Sequence, residues 1–265
     1  MLGWPVAHSR SPAIQNAALR AAGLCDWHYQ LLPVPPELFD ETVRGLPAAG
    51  FRGVNVTIPH KQAALALAIE TSERASRIGA ANTLLFRDDG SIWADNTDAP
   101  ALIQALERQI ELGGASALIL GAGGTARAAV WALRNAGVGD VAIWNRTPAR
   151  ADELAASFGS RSVNAPGDAA SADVLINCTS VGLNDGDELS ALALSAEQIG
   201  RHRAVVDFVY RTGATALLSA AAAAGVPTID GVELLIGQGA IAFELFTGRP
   251  ASVQAMREAL QLSAA

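Results

Sequence analysis

The sequence predicts an α/β protein of two domains, with the second inserted into the first. Three observations carry that reading. Helix-like and strand-like segments alternate along nearly all 265 residues, the pattern of parallel sheets joined by helical crossovers. The apolar run at 115–120 passes directly into Gly121-Ala122-Gly123-Gly124 and a further helix, which starts a second strand–helix series. The length also suits one large domain or two ordinary ones. Boundaries fall near Pro100 and near Gly231, giving 1–99 with 232–265 as one domain and 100–231 as the other.

Residues 11–22 read as a helix, with Pro12 in its first turn, where a missing N–H has no helical partner to lose. Residues 27–34 read as a strand, 36–46 as a helix and 51–57 as a strand. An alanine- and leucine-rich helix covers 61–69. Strands 82–87 and 91–94 flank Asp88-Asp89-Gly90, a hairpin signal. In the second series, 99–110 is helical, 115–120 a buried strand, 125–135 a helix, 140–144 a strand and 149–158 a helix behind Pro148. Strands at 173–177 and 204–208, a helix at 214–224, a short strand at 228–229 and helices at 232–246 and 251–262 complete the chain.

Half of the residues are apolar and 17% are charged, which is ample for a core and too few charges for a disordered chain. A net charge of −7 offers no basic field to phosphates, so no nucleic-acid partner is expected. Of the 19 basic residues, all but Lys61 are arginine. Cys25 and Cys178 are too few for a disulfide framework or a metal cage; both read as small buried apolar residues, and no metal is expected. Met1-Leu2-Gly3-Trp4-Pro5 lacks the basic and apolar regions of a signal peptide. The uncharged stretch 212–229 is broken by Gly213, Gly225 and Pro227 and is too weakly apolar to span a membrane. A soluble cytoplasmic protein with no membrane partner is expected.

Gly121-x-Gly123-x-x-Ala126 follows a strand and opens a helix, as the dinucleotide fingerprint of a Rossmann domain requires. Gly121 permits the tight turn, Gly123 a close backbone approach to pyrophosphate, and Ala126 close packing of helix on strand. The helix start offers free N–H groups to phosphate. After the next strand, Asn145-Arg146-Thr147-Pro148-Ala149-Arg150 has arginine where an acid would bind the ribose hydroxyls of NAD. Arg146 suits a 2′-phosphate and Thr147 adds a hydroxyl, so the expected cofactor is NADP.

Outside this domain, Ser9 and Ser11 stand at a loop-to-helix transition. Two readings are open: Ser11 caps the helix, or both hydroxyls hold a substrate carboxylate. Asn55-Val56-Thr57-Ile58-Pro59-His60-Lys61 gathers polar groups where a strand ends and a helix begins. Ala81-Asn82-Thr83 and Asp95-Asn96-Thr97-Asp98 are turn-like polar clusters. Lys61 and Asp98 form the candidate catalytic pair. Oxidising a secondary alcohol needs a group that takes the hydroxyl proton as hydride leaves. An amine can do this and a guanidinium cannot. A neighbouring aspartate would orient the lysine.

Together these segments resemble the shikimate dehydrogenases. The likeness runs in order through GWPVAHSRSP at 3–12, NVTIPHK at 55–61, AANT at 80–83 and DNTD at 95–98. It continues through GAGGTARA at 121–128, NRTPAR at 145–150, NCTSVG at 177–182 and DGVELLIGQGAIAFELFTG at 230–248. The resemblance implies a Rossmann NADP domain, a discontinuous α/β substrate domain, and reversible reduction of 3-dehydroshikimate to shikimate on the route to chorismate and the aromatic amino acids. By that likeness Lys61 and Asp98 are catalytic. Ser9 and Ser11 hold the substrate carboxylate with Tyr210 nearby, and Asn55, Thr57, Asn82, Asp98 and Gln238 bind ring oxygens. Gly121, Ala122, Gly123, Gly124 and Thr125 cradle the pyrophosphate. Asn145, Arg146, Thr147 and Arg150 hold the 2′-phosphorylated adenosine, Phe208 and Gly231 lie near the nicotinamide, and Glu73 is a cofactor-side candidate. The resemblance also implies a monomer or a homodimer.

The chain departs from the family pattern at four places. It starts two residues before Gly3, where relatives have a longer first strand, so a truncated strand or a misassigned start is expected. Thr125 and Cys178 stand where alanine is commoner. Glu233 replaces a frequent glycine, where it either alters substrate preference or faces solvent. A quinate or aminoshikimate dehydrogenase, with NADP or NAD, is the alternative within enzymes. A non-catalytic nucleotide-binding regulator is the alternative of another class, and it would have no need of Lys61 and Asp98.

Overall fold

In the computed structural model, which describes residues 1–184, 189–211 and 213–262, the chain forms two units. The first comprises Met1–Asp98 and the segment from Ile236 onward; the second is Ala99–Leu235. The first unit runs β1 (Leu2–Gly3), α1 (Ser11–Ala21), β2 (Leu32–Pro33), α2 (Phe39–Gly45), β3 (Gly53–Asn55), α3 (Lys61–Leu67), β4 (Glu70–Thr71), α4 (Glu73–Ile78), β5 (Thr83–Phe86) and β6 (Ile92–Asp95). β1 and β2 pair in parallel, and a parallel bridge from Leu2 to Val56 joins them to a four-stranded sheet of order β3-β5-β6-β4. Its core holds Leu2, Phe39, Val54, Val56, Leu84 and Ile92. His60 stacks on Phe39 and its Nε2 donates to the Val34 carbonyl at 2.8 Å.

This sheet is mixed rather than parallel. β5 pairs antiparallel with both β3 and β6, and β4 with β6 in parallel. The hairpin at Asp88-Asp89-Gly90 is the cause, because a tight turn reverses the chain. The register aligns Asn55 with Thr83 and Thr83 with Asp95, so three polar residues stand in a row across the sheet end.

The strand expected at 27–34 shrinks to Leu32–Pro33, since β1 offers only two residues for pairing and the Asn16 amide engages the Tyr29 backbone on both sides. The strand expected at 51–57 shrinks to Gly53–Asn55, with Val56 and Thr57 turning to Asn82 and Leu2. The helix expected at 36–46 opens with a 3-10 turn at Pro36–Leu38. Ser11 does not cap α1: it is the first helical residue, Arg10 is the N-cap, and no side chain caps that end. Cys25 is exposed in the loop after α1 rather than buried, and Cys178 is half-buried.

The second unit runs α5 (Asp98–Leu106), β7 (Ser116–Leu120), α6 (Gly124–Asn135), β8 (Asp140–Trp144), α7 (Pro148–Phe158), β9 (Arg161–Ser162), β10 (Val174–Asn177), α8 (Ala196–Ile199), β11 (Ala204–Asp207), α9 (Ala216–Ala223), β12 (Thr228–Ile229) and α10 (Gly231–Thr247). The chain returns to the first unit within α10 and ends in α11 (Val253–Leu262), which packs on α1. All six strands of the second unit pair in parallel in the order β12-β11-β10-β7-β8-β9. The order reverses between β7 and β10, the switch point at which such sheets bind ligands. Apolar clusters cover both faces, which accounts for the near-continuous hydrophobic runs in β7 and β10. No helix among the described residues is long and apolar enough to cross a membrane; Thr212, at the head of the uncharged stretch 212–229, lies outside them.

His202 is buried in this unit, with its Nδ1 donating to the Ala172 carbonyl at 2.6 Å and its Nε2 without a partner among the described residues. Burial holds its pKa below the ordinary imidazole value. The unfolded chain therefore takes up a proton at a pH where the folded chain does not. Stability from this group is fully present above about pH 6.5 and is lost as pH falls from there toward the folded-state pKa. Thermal unfolding followed from about pH 8 to 5 should show a falling midpoint, and His202→Gln should lessen that dependence.

Candidate active site

Lys61 is the first residue of α3 and Asp98 the first of α5. Lys61 Nζ donates to Asp98 Oδ2 at 2.7 Å, and each side chain is only 11% exposed. The other carboxylate oxygen, Oδ1, accepts from Asn82 Nδ2 at 2.9 Å. Asn82 Oδ1 in turn accepts the Thr97 N–H at 2.8 Å and the Thr83 hydroxyl at 3.0 Å. Thr83 Oγ1 accepts from Asn55 Nδ2 at 3.0 Å, and Asn55 Oδ1 accepts from the Tyr29 hydroxyl at 2.8 Å. A directed chain of donors thus runs from Tyr29 through Asn55, Thr83 and Asn82 to Asp98. The register of β3, β5 and β6 lines up its anchor points.

Main-chain contacts fix both catalytic candidates. The Lys61 carbonyl accepts from the Ala81 N–H, and the Asp98 N–H donates to Asn96 Oδ1 at 3.1 Å. Asn96 Nδ2 donates to the Ala80 carbonyl at 3.0 Å. Thr97 Oγ1 lies 3.5 Å from Gln238 Oε1, which places Gln238 of α10 beside the same cluster. Ser9 Oγ donates to Ser11 Oγ at 3.2 Å and accepts the Ser11 N–H, so the two hydroxyls stand together at the uncapped start of α1. Thr57 is half-buried in the loop between β3 and α3, and a Cβ on Gly3 would lie 2.4 Å from its Cγ2, so glycine is required there. Glu73, at the start of α4, is exposed, 4.0 Å from Arg77.

In the second unit Gly121 follows β7 with φ +107, and a Cβ there would meet the Cys178 backbone at 3.2 Å. Only glycine suits that turn at the switch point. Gly123 is the N-cap of α6 with no side-chain cap, and a Cβ there would meet nothing within 4 Å. Ala122, Gly124 and Thr125 complete the turn, and Ala126 is fully buried behind it. A helix start of this kind suits an anion. After β8, Asn145 Nδ2 donates to the Thr147 carbonyl at 2.9 Å, bracing the turn. Arg146 and Arg150 are exposed, and neither guanidinium has a partner among the described residues. These groups fit a phosphorylated dinucleotide: an open glycine turn for the pyrophosphate and two uncommitted forks for a further phosphate.

Phe208 and Tyr210 follow β11, and Gly231 opens α10. A Cβ on Gly231 would fall 2.4 Å from the Val209 carbonyl oxygen, so the helix start is pressed against this loop. Asp207 braces the loop by accepting from Asn177 Nδ2, the Val209 N–H and the Thr215 hydroxyl at 2.9, 3.0 and 2.6 Å. Its burial raises the carboxyl pKa. Glu233 is half-buried and pairs with Arg108 at 2.8 Å rather than standing free. Among the described residues no group of three or more His, Cys, Asp or Glu could hold a metal ion.

Sequence reasoning passed over Tyr29, Arg74 and Asp95. Asp95 is inside a quoted motif, but its carboxylate takes a forked contact from Arg74 on α4, a helix with no strong periodicity. Tyr29 has no local signal at all, since its partner Asn55 lies 26 residues on.

A six-stranded parallel sheet of this order, with a glycine turn at its switch point, defines a Rossmann-type dinucleotide-binding protein, and the buried lysine–carboxylate pair sits on a second α/β unit. Family models agree along the chain: "Shikimate dehydrogenase substrate binding domain" at 1–84, "Shikimate / quinate 5-dehydrogenase" at 104–184 and "Shikimate 5'-dehydrogenase C-terminal domain" at 231–261. The NADP(+) shikimate dehydrogenase of Methanothermobacter thermautotrophicus is 41% identical over 98% of this chain and 94% of its own. The crystal structure of shikimate dehydrogenase from Aquifex aeolicus superposes with a TM-score of 0.91 at 35% identity, covering 98% of this chain and 96% of that one. The Thermus thermophilus enzyme, solved with NADP(H) and shikimate, gives 0.88 at 44% identity, covering 99% and 97%. The chain belongs to the shikimate dehydrogenase family.

Proposed function

We propose that this chain is an NADP-dependent shikimate dehydrogenase, interconverting 3-dehydroshikimate and shikimate on the route to chorismate. The observation that carries the reading is the buried Lys61–Asp98 contact at 2.7 Å, closed by Asn82, in a chain of this family. Arg146 and Arg150, uncommitted after β8, favour NADP over NAD.

NADPH, when bound, supplies the hydride that reaches the carbonyl carbon. The chain's own residues handle the proton and the pose. In reduction, a Lys61 N–H donates its proton to the carbonyl oxygen as that oxygen becomes the hydroxyl; in oxidation Lys61 takes the hydroxyl proton back. Asp98 holds Nζ and accepts from the substrate hydroxyl, and Asn82 keeps its carboxylate from rotating. Ser9 and Ser11, with Tyr210, receive the substrate carboxylate, while Asn55, Thr57 and Gln238 bind ring hydroxyls. Gly121 to Thr125 take the pyrophosphate. Asn145, Arg146, Thr147 and Arg150 take the phosphorylated adenosine, Phe208 and Gly231 flank the nicotinamide, and Glu73 serves the cofactor side. The matching domains are 1–99 with 232–265 for substrate and 100–231 for NADP, in a cytoplasmic monomer or homodimer that binds no nucleic acid.

Initial rates with shikimate and quinate, each with NADP+ and NAD+, test the reading: kcat/KM should be highest for shikimate with NADP+, and a preference for quinate or NAD+ overturns it. Lys61→Ala should lower kcat by about a hundredfold or more, as for loss of an acid–base group, and Lys61→Arg should not restore it. Arg146→Ala should raise KM for NADP+ about ten- to a hundredfold, the loss of a charge-assisted contact, and leave KM for NAD+ nearly unchanged.

A further inference from the structure

The carboxylate of Asp95 is 1% exposed, yet it lies three residues before Asp98 and plays no part in the chemistry above. It accepts from Arg74 Nε at 2.7 Å through Oδ1 and from Arg74 Nη2 through Oδ2. The Ser72 hydroxyl and the Asn96 N–H, at 2.5 and 2.7 Å, also donate to Oδ1. Four donors on one buried carboxylate exceed what an amide could accept, because an asparagine there would turn its NH2 toward a guanidinium. The charge is therefore matched to Arg74, and α4 exists at this point to present both Ser72 and Arg74: Ser72 caps α4 through the Ala75 N–H.

From Asp95 the constraint passes to the reacting groups in two short steps. The Asp95 carbonyl accepts the Asn82 N–H at 3.0 Å, and the Asn82 side chain grips Asp98 Oδ1. Asn96, whose N–H is held by Asp95, accepts the Asp98 N–H through its own side chain. We propose that Arg74 is a positioning residue: by neutralising buried Asp95 it locks the turn at 95–98 so that the Asp98 carboxylate faces Lys61. The catalytic consequence rests on the function proposed above; the effect on the Lys61–Asp98 contact does not.

Without Arg74, a buried carboxylate loses its counter-charge, and the turn must shift to expose it to water. Misplacement of a reacting group by about 1 Å can cost a hundredfold in rate. The chain's single lysine makes the contact visible without turnover, since selective 13C/15N-lysine labelling yields the side-chain signal of Lys61 alone. Arg74→Ala should move that signal. It should also lower kcat for shikimate oxidation about tenfold or more and raise KM for shikimate, with KM for NADP+ unchanged. Partial unfolding would lower kcat alone. Arg74→Lys, which keeps the charge without the fork, should recover part of the loss. The double variant Arg74→Ala/Asp95→Asn removes the unmatched charge and should return both the lysine signal and KM toward the parent values. An unmoved lysine signal in Arg74→Ala overturns the proposal. So does a moved signal that the double variant fails to restore. Absence of shikimate turnover in the parent protein overturns the proposed function instead, and the lysine signal still decides the role of Arg74.

Discussion

Lys61 stands where electrostatics disfavours it. It opens a helix, so its ammonium sits at the positive end of the backbone dipoles, and it is nearly buried. Asp98 makes the arrangement tenable. It opens its own helix, where an acid is favoured, and brings its carboxylate to 2.7 Å from Nζ. Buried ion pairs add little net stability, since desolvating both charges offsets most of their attraction. The first unit nevertheless assembles four separate pieces of chain around this one: the loop before α3, the turn at 80–83, the turn at 95–98 and α10. At their centre the Asn82 amide bonds to Thr83, Thr97 and Asp98, while the Asn82 backbone carbonyl accepts from the Val56 N–H in the chain leading to α3. A network connected in this way resists rotation of any one member.

Much of this is readable from residue order. The glycine turn after β7 follows from the strand before it and the small residues within it, and both are local. Lys61, Asn82 and Asp98 stand out because they lie in polar clusters at element ends. What residue order hides is pairing across distance. β1, β2 and β4 are two residues each, too short for any alternation to register, and they are strands only because a neighbour offers matching backbone groups. The helix α4 has six residues, fewer than two turns, and is defined by its Ser72 cap and its contact with Asp95. Cys25 escapes the expected burial because it stands beside the exposed Asp26 in the loop after α1.

Among the described residues, some helix starts carry a side-chain cap and others do not. α4, α8, α9 and α11 each have a Ser or Thr, and α10 an Asp, whose side chain accepts a backbone N–H of the first turn. α1, α3, α6 and α7 have no side-chain cap. These four begin at the serine pair, at Lys61, at the glycine turn and after Arg146. The remaining helix known to lack a cap, α2, continues from a 3-10 turn that already occupies its first backbone groups. An end without a side-chain cap forgoes about 1 kcal/mol of stabilisation. Anionic groups of a ligand can bond to the backbone donors of a helix start. At α1, Ser9 Oγ accepts the Ser11 N–H and donates to Ser11 Oγ, so the two hydroxyls are grouped at the helix start. No acidic residue stands in the first turn to compete for an anion there. α10, capped by Asp230, reaches the catalytic cluster through Gln238, and at α4 Ser72 serves the cap and the Asp95 carboxylate together. Ser72 and Arg74 thereby act as supports of the turn at 95–98.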